Sequence, residues 1–235
     1  MPRTARAIVG GYCYHLINRG NDRARVFHEH ADYAHFVSLI GKAQERVTVP
    51  LLAACLMPNH IHLVVRPEGD ADLSCWTHWL FTTHVRRYHA KYGSAGRVWQ
   101  DRFKAFVIQE DRHLLTVMRY VERNAVRAAL VARAEHWLWG SLRWRDTDQN
   151  ALLTPSPVRL PSNWLRYVNE AQTAAELDAL RACVNRQRPF GTQAWVGRKA
   201  RELGLSSSLT RIGRPGRDRR PAEMGTVPIS KAEVR

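Results

Sequence analysis

No part of the 235-residue sequence stays apolar for long. Its longest clean run, Leu51 to Met57, falls far short of the roughly 20 residues that a membrane-spanning helix needs. The opening MPRTARAIVGG carries early arginines but lacks the apolar core of a secretory signal, so no membrane role and a cytoplasmic location are expected. Cysteine is scarce and scattered: Cys13, Cys55, Cys75 and Cys183 form no CxxC pair, which argues against a zinc ribbon or a disulfide framework. Acidic residues are also few, with 21 Asp+Glu against 36 Lys+Arg, a formal charge of +15. Such a surface favours polyanions, nucleic acid first among them.

What is present is enough apolar material, 45% of residues, for one good core. YCYHLINRGN reads as a strand entering a glycine-containing loop. Tyr33, Phe36, Val37, Ile40 and Val47 recur at helical spacing, with Asp32 as the expected N-cap and Pro50 beyond the end. LLAACLM and HIHLVV flank the turn signal Pro58-Asn59 and predict a β-hairpin. A helix from Asp72 to Gly93 presents Leu73, Trp76, Trp79, Leu80 and Thr83 on one face. RFKAFVIQ is a further strand, and Asp111 caps a helix with Leu114, Leu115, Met118 and Val121 as its stripe. The order β-α-β-β-α-β-α is that of an α+β, ferredoxin-like split β-α-β sheet with an extra helix. After Trp144 the chain turns polar and proline-rich, which predicts a linker, then one short helix within 163–180. Residues 181–220 hold 11 Lys+Arg against 2 Asp+Glu, and RIGRPGRDRR within them reads as a mobile basic arm. The last 15 residues are expected to be disordered.

The histidines of MPNHIHLVV carry the chemistry. Alternation along a strand puts His60, His62 and Val64 on one face and Ile61, Leu63 and Val65 on the other, which should face the core. Two imidazoles side by side suit one metal ion. A second H-x-H, His28 and His30 in FHEHAD, lies in a polar stretch with no strand to align it. Tyr120 and Asn124 in RYVERN are four residues apart and share a helical face, with Arg119, Arg123 and Arg127 around them. On these residues alone, Tyr120 reads first as an ordinary core-edge tyrosine and Asn124 as a helix C-cap.

Taken together, MPNHIHLVV, RYVERNAVRAALV, YHLINRGN and VWQDRFKAF resemble the REP-associated tyrosine transposases, bacterial members of the single-tyrosine HUH transposases. The resemblance covers roughly residues 1–145, and RPFGTQAW and RIGRP extend it into the tail. It implies a ferredoxin-like HUH nuclease domain that cuts single-stranded DNA near palindromic hairpins with Mg²⁺ or Mn²⁺. His60 and His62 match the metal-binding histidines, Tyr120 the nucleophile, and Asn124 the polar residue that completes the metal site. The sequence departs from the family in having Ala125 where it usually has proline and Ala129 where it has glycine. The resemblance further implies a 5′-phosphotyrosine intermediate and a monomer or homodimer associated with the nucleoid. The expected DNA contacts are Arg19, Asn21, Arg23, Arg102 and Lys104 near the strands, Arg123 and Arg127 beside Tyr120, and Arg211 and Arg214 in the tail.

The expected organisation is thus a nuclease domain over 1–145, a linker with a short helical extension over 146–180, and a basic, partly disordered DNA-binding tail over 181–235. The main rival is a non-catalytic hairpin DNA- or RNA-binding module on the same fold, with Tyr12 and Tyr14 as a stacking platform. A barrel-type metal hydrolase would need repeated βα units, and none is visible.

Overall fold

The computed structural model describes residues 8–210. Four strands, β1 (Cys13–Arg19), β2 (Leu51–Met57), β3 (His60–Val65) and β4 (Lys104–Ile108), form one antiparallel sheet in the order β2-β3-β1-β4. This is the ferredoxin-like order, and the split β-α-β pattern holds. Pro58 and Asn59 turn β2 into β3, with Met57 opposite His60.

Both faces of the sheet are covered. On one face, Ile61, Leu63 and Val65 pack with Tyr14 and Leu16 against α1 (His30–Arg46) and α2 (Asp72–Tyr92). Trp76 of α2 and Phe36 of α1 are fully buried there. Asp32 is not the N-cap of α1; Glu29 holds that position, and Asp32, one turn in, accepts the backbone N–H groups of His28 and Glu29. It also accepts Lys91 and the Tyr92 hydroxyl from the end of α2, which fastens the two helices end to end. Gly93 closes α2 with a φ of 58°, a left-handed conformation that glycine adopts without strain.

On the opposite face, Val64, Phe106 and Ile108 pack against Leu114, Val117, Met118 and Val121 of α3 (Arg112–Glu122). Asp111 caps α3 as expected, its carboxylate accepting the His113 N–H at 2.7 Å. After Arg123 the chain continues as α4 (Asn124–Arg127), and α5 (Ser141–Trp144) follows.

The expected linker is instead part of the packed structure. Residues 163–180 hold α6 (Trp164–Asn169) and the first half of α7 (Ala174–Arg186), with Trp164, Val168 and Leu180 in the core. Residues 181–210 are folded too. Cys183 is buried, Phe190 pairs with the free edge of β4 through Val107 and Gln109, and α8 (Gln193–Glu202) buries Val196 and Ala200. The polar, proline-rich texture misled because one apolar residue per turn is enough to anchor a short helix on an existing core. The arm at 211–220 and the final 15 residues, with Arg211 and Arg214, lie outside the described residues.

Tyr14 is 2% exposed, and its hydroxyl donates to the Val9 carbonyl at 2.9 Å, while the Tyr12 ring lies under the Lys199 ammonium. The two tyrosines therefore form no open stacking platform.

Candidate functional site

The β1–β3 register assembles the site. Antiparallel pairing sets His15 opposite Val64, Ile17 opposite His62 and Arg19 opposite His60. Residues opposite each other share a face, so His15, His60 and His62 all point toward α3. His62 is 5% exposed, His15 is fully buried and His60 is half-buried at the sheet end. The His60 and His62 rings lie 5.0 Å apart between centroids. His15 stacks on His62 at 5.1 Å and meets Tyr120 edge-on at 6.0 Å. Tyr120, 7% exposed on α3, lies 5.9 Å from the His62 ring.

Burial leaves all three imidazoles neutral. Desolvation lowers the pKa of His60 from 6.5 to about 4, with Arg19 and Arg127 adding to the effect. Burial takes His15 to about 3 and holds His62 well below its ordinary value, where His60 and His15 add to the cost of a charge. Hydrogen bonds then decide which nitrogen stays open. His60 Nδ1 lies 2.6 Å from Asn59 Oδ1. An amide oxygen only accepts, so Nδ1 carries the proton and Nε2 offers a lone pair. Asn59 Nδ2 in turn donates to the Arg23 carbonyl at 3.0 Å. That carbonyl belongs to a tight loop in which Asp22 and Arg23 both have positive φ, 50° and 62°, a backbone state that costs non-glycine residues energy. His62 Nδ1 is 2.9 Å from His15 Nε2, so one of the two rings donates to the other and their tautomers are tied together.

Asn59 and His15 were missed in the sequence reading. Asn59 counted only as a turn former, and His15 lies 47 residues from His62 in the chain, joined to it by a register that local patterning does not encode.

Asn124 is buried, and its Oδ1 accepts Arg127 Nη2 at 2.8 Å. Its Nδ2 is buried without a hydrogen-bond partner. The Arg127 guanidinium covers the Tyr120 ring at 4.0 Å and is thereby part of the site's interior. Arg123 reaches away from the site, donating to the Val168 and Asn169 carbonyls at the end of α6. Arg119 does the same at the Glu170 and Ala171 carbonyls. Their guanidiniums hold α6 rather than standing free on the surface. Arg19, Arg23, Arg102 and Lys104 are exposed and Asn21 half-exposed, with Arg19 and Lys104 at the sheet end that carries His60. The second pair is superficial: His28 is exposed and bonds the Tyr88 hydroxyl, and His30 begins α1.

Among the described residues, no three His, Cys, Asp or Glu side chains converge as a metal site. The donors at hand are two neutral imidazoles and one amide oxygen, a set that fits a divalent cation retaining other oxygen ligands.

An antiparallel ferredoxin-like sheet with paired histidines facing a helix-borne tyrosine defines a class, and the comparisons agree with it. The family model described as "Transposase IS200 like" matches residues 9–124, from before β1 through Asn124. Over that span the chain is similar to this family, and within it to the REP-associated tyrosine transposases. It is 28% identical over 122 residues to a Haemophilus influenzae protein named as a REP-associated tyrosine transposase, covering 47% of this chain and 69% of the relative. The solved structure of a REP-associated tyrosine transposase bound to a REP hairpin aligns with a TM-score of 0.53 at 19% identity, covering 74% of this chain and 93% of that one. That likeness supports the fold. No helix among the described residues is long and apolar enough to cross a membrane.

Proposed function

We propose that this transposase cuts and rejoins single-stranded DNA at hairpin or palindromic repeats through a covalent bond to Tyr120. The observation that carries the reading is the placement of Tyr120 against His62, with the Arg127 guanidinium over its ring. The phenolic oxygen bonds to phosphorus as the bond to the 3′ oxygen breaks, giving a free 3′-hydroxyl and a 5′-phosphotyrosine. Attack by a 3′-hydroxyl on that phosphotyrosine reverses the step and releases the tyrosine. Arg127 is a fixed cation beside the charge that develops during attack. Arg19, Asn21, Arg23, Arg102 and Lys104 would position the DNA backbone at the sheet end.

Mg²⁺ or Mn²⁺ held by His60 and His62, with Asn124 Oδ1 as a third donor, would supply charge neutralisation at the scissile phosphate. Asn124 meets that role once its oxygen is freed from Arg127, and imidazole ligands favour Mn²⁺ at least as well as Mg²⁺. The protein would act as a monomer or homodimer in the bacterial cytoplasm, at the nucleoid.

The test uses full-length protein, end-labelled single-stranded hairpins and Mn²⁺ on a denaturing gel. Wild type should cut and leave protein on the 5′ side of the break. Tyr120→Phe should bind equally well but neither cut nor form the adduct, and His60→Ala with His62→Ala should bind without cutting. Cleavage surviving in Tyr120→Phe, or a free 5′-phosphate with no adduct at any time, would overturn the mechanism. Binding without cleavage by wild type would leave a hairpin-binding protein, the reading that the Arg127–Asn124 bond favours.

A further inference from the structure

A cavity of about 440 Å³ opens on the other face of the sheet, between the end of β1, the first turns of α2 and the 99–103 loop. Three aromatic rings line it, Phe81, Trp99 and Phe103, together with the buried polar residues Asn18 and Thr77. Arg102 lies at its rim and is exposed. We propose that this cavity receives one unpaired nucleobase of the single strand that flanks the hairpin.

Four observations converge. The volume falls within the range of small-ligand sites, and aromatic rings beside a cation match the way unpaired bases and their phosphates are held. Asn18, 5% exposed, accepts the Arg19 N–H at its Oδ1 at 3.0 Å, which leaves the amide Nδ2 to act as a donor. The Trp99 indole N–H is buried and unpartnered. Buried donors without acceptors are costly unless a ligand supplies them. Finally, the cavity adjoins the reaction site. Asn18 and Arg19 are neighbours on β1 and point to opposite faces, and Arg19 pairs with His60. A strand crossing this end of the sheet can place a phosphate by the histidines and a nearby base in the cavity.

Both open groups are donors, so the occupant should offer carbonyl acceptors. Guanine, thymine and cytosine do; adenine, which has none, should be the poorest fit. The inference rests on the single-strand DNA reading above, and its test reads binding so that it does not depend on cleavage.

Full-length Tyr120→Phe protein is titrated with hairpins carrying an abasic site at each flanking position in turn, and affinity is read by fluorescence anisotropy. One position should lose about tenfold in affinity when its base is removed. Ser74, exposed on α2 at the cavity mouth, is replaced in the same background. Ser74→Leu should weaken binding of intact DNA by a similar factor and abolish the sensitivity at that one position. Asn18→Asp, which turns a donor into an acceptor, should shift the preferred base there toward adenine or cytosine. Equal sensitivity at all positions, or an abasic profile unchanged by Ser74→Leu, would overturn the proposal. If wild type proves unable to cut any hairpin while the abasic profile holds, the cleavage mechanism falls and the base site stands.

Discussion

A neutral imidazole can bind a cation or accept a proton only through the nitrogen left bare, so the neighbour on the other nitrogen governs what the ring can do. Asn59 settles this for His60, and for His62 it is tied to the protonation of His15. His15→Phe fills the same space beside Phe106 and Tyr120 but offers His62 no acceptor. It should weaken Mn²⁺ binding 10- to 100-fold, measured by electron paramagnetic resonance without DNA. His15→Gln, which restores an acceptor oxygen, should recover much of that loss. Equal Mn²⁺ affinity in His15→Phe and wild type would show that His15 only packs. The H-x-H pair could be read from the sequence because strand alternation is local. His15 could not, because the face shared by residues 15 and 62 exists only after β1 and β3 pair. Arg127 was expected beside Tyr120 as a DNA contact, but its place over the ring depends on how α4 leaves α3.

The two departures from the family pattern fall on one helix end, and the structure gives one of them a physical measure. Leu130 N–H bonds the Ala125 carbonyl and Ala129 N–H bonds the Val126 carbonyl, the paired bonds of a Schellman motif. That motif needs a left-handed residue, and Ala129 supplies it at a φ of 54°. Glycine adopts this conformation without the Cβ penalty. Ala129→Gly should therefore stabilise the protein by about 1 kcal/mol and raise Tm by roughly 2–4 °C for a chain of this size, a shift that calorimetry resolves. An unchanged or lower Tm would mean that α4 does not carry the strain its backbone shows. Elements as far as α3 were legible because their apolar periods are strong and their turns carry Pro, Gly or Asp. The later helices were not: in α7 and α8, arginines face outward while Leu180, Cys183, Val196 and Ala200 face in, with Lys199 buried among them. A pattern so sparse is indistinguishable from a polar arm until there is a core to receive it.

At the scale of the molecule, the sheet is covered on both faces and holds neutral histidines within it. His84, packed edge-on or tilted against Phe27, Phe36 and Trp99, has its pKa lowered to about 4 by burial, as His60 does, and His15 goes to about 3. Unfolded histidines titrate near 6.5. Between that value and 4 the unfolded chain binds more protons, so stability is full above pH 6.5 and falls as pH drops toward 4. His84→Phe lies away from the histidine cluster and removes one of these protons along with a buried, unpartnered Nδ1. It should move the acid-unfolding midpoint to lower pH, followed by tryptophan fluorescence; a midpoint that does not move would show that His84 is not neutral in the fold. The bonds from Arg119 and Arg123 to the α6 carbonyls have a further consequence, for how such chains diversify. The helix that bears the tyrosine and the helices that follow form one heritable unit. A chimera joined at residue 146 would pair one parent's arginines with another parent's carbonyls. A junction after residue 210 leaves every one of those bonds within a single parent, so exchange between relatives is open there and closed at the extension.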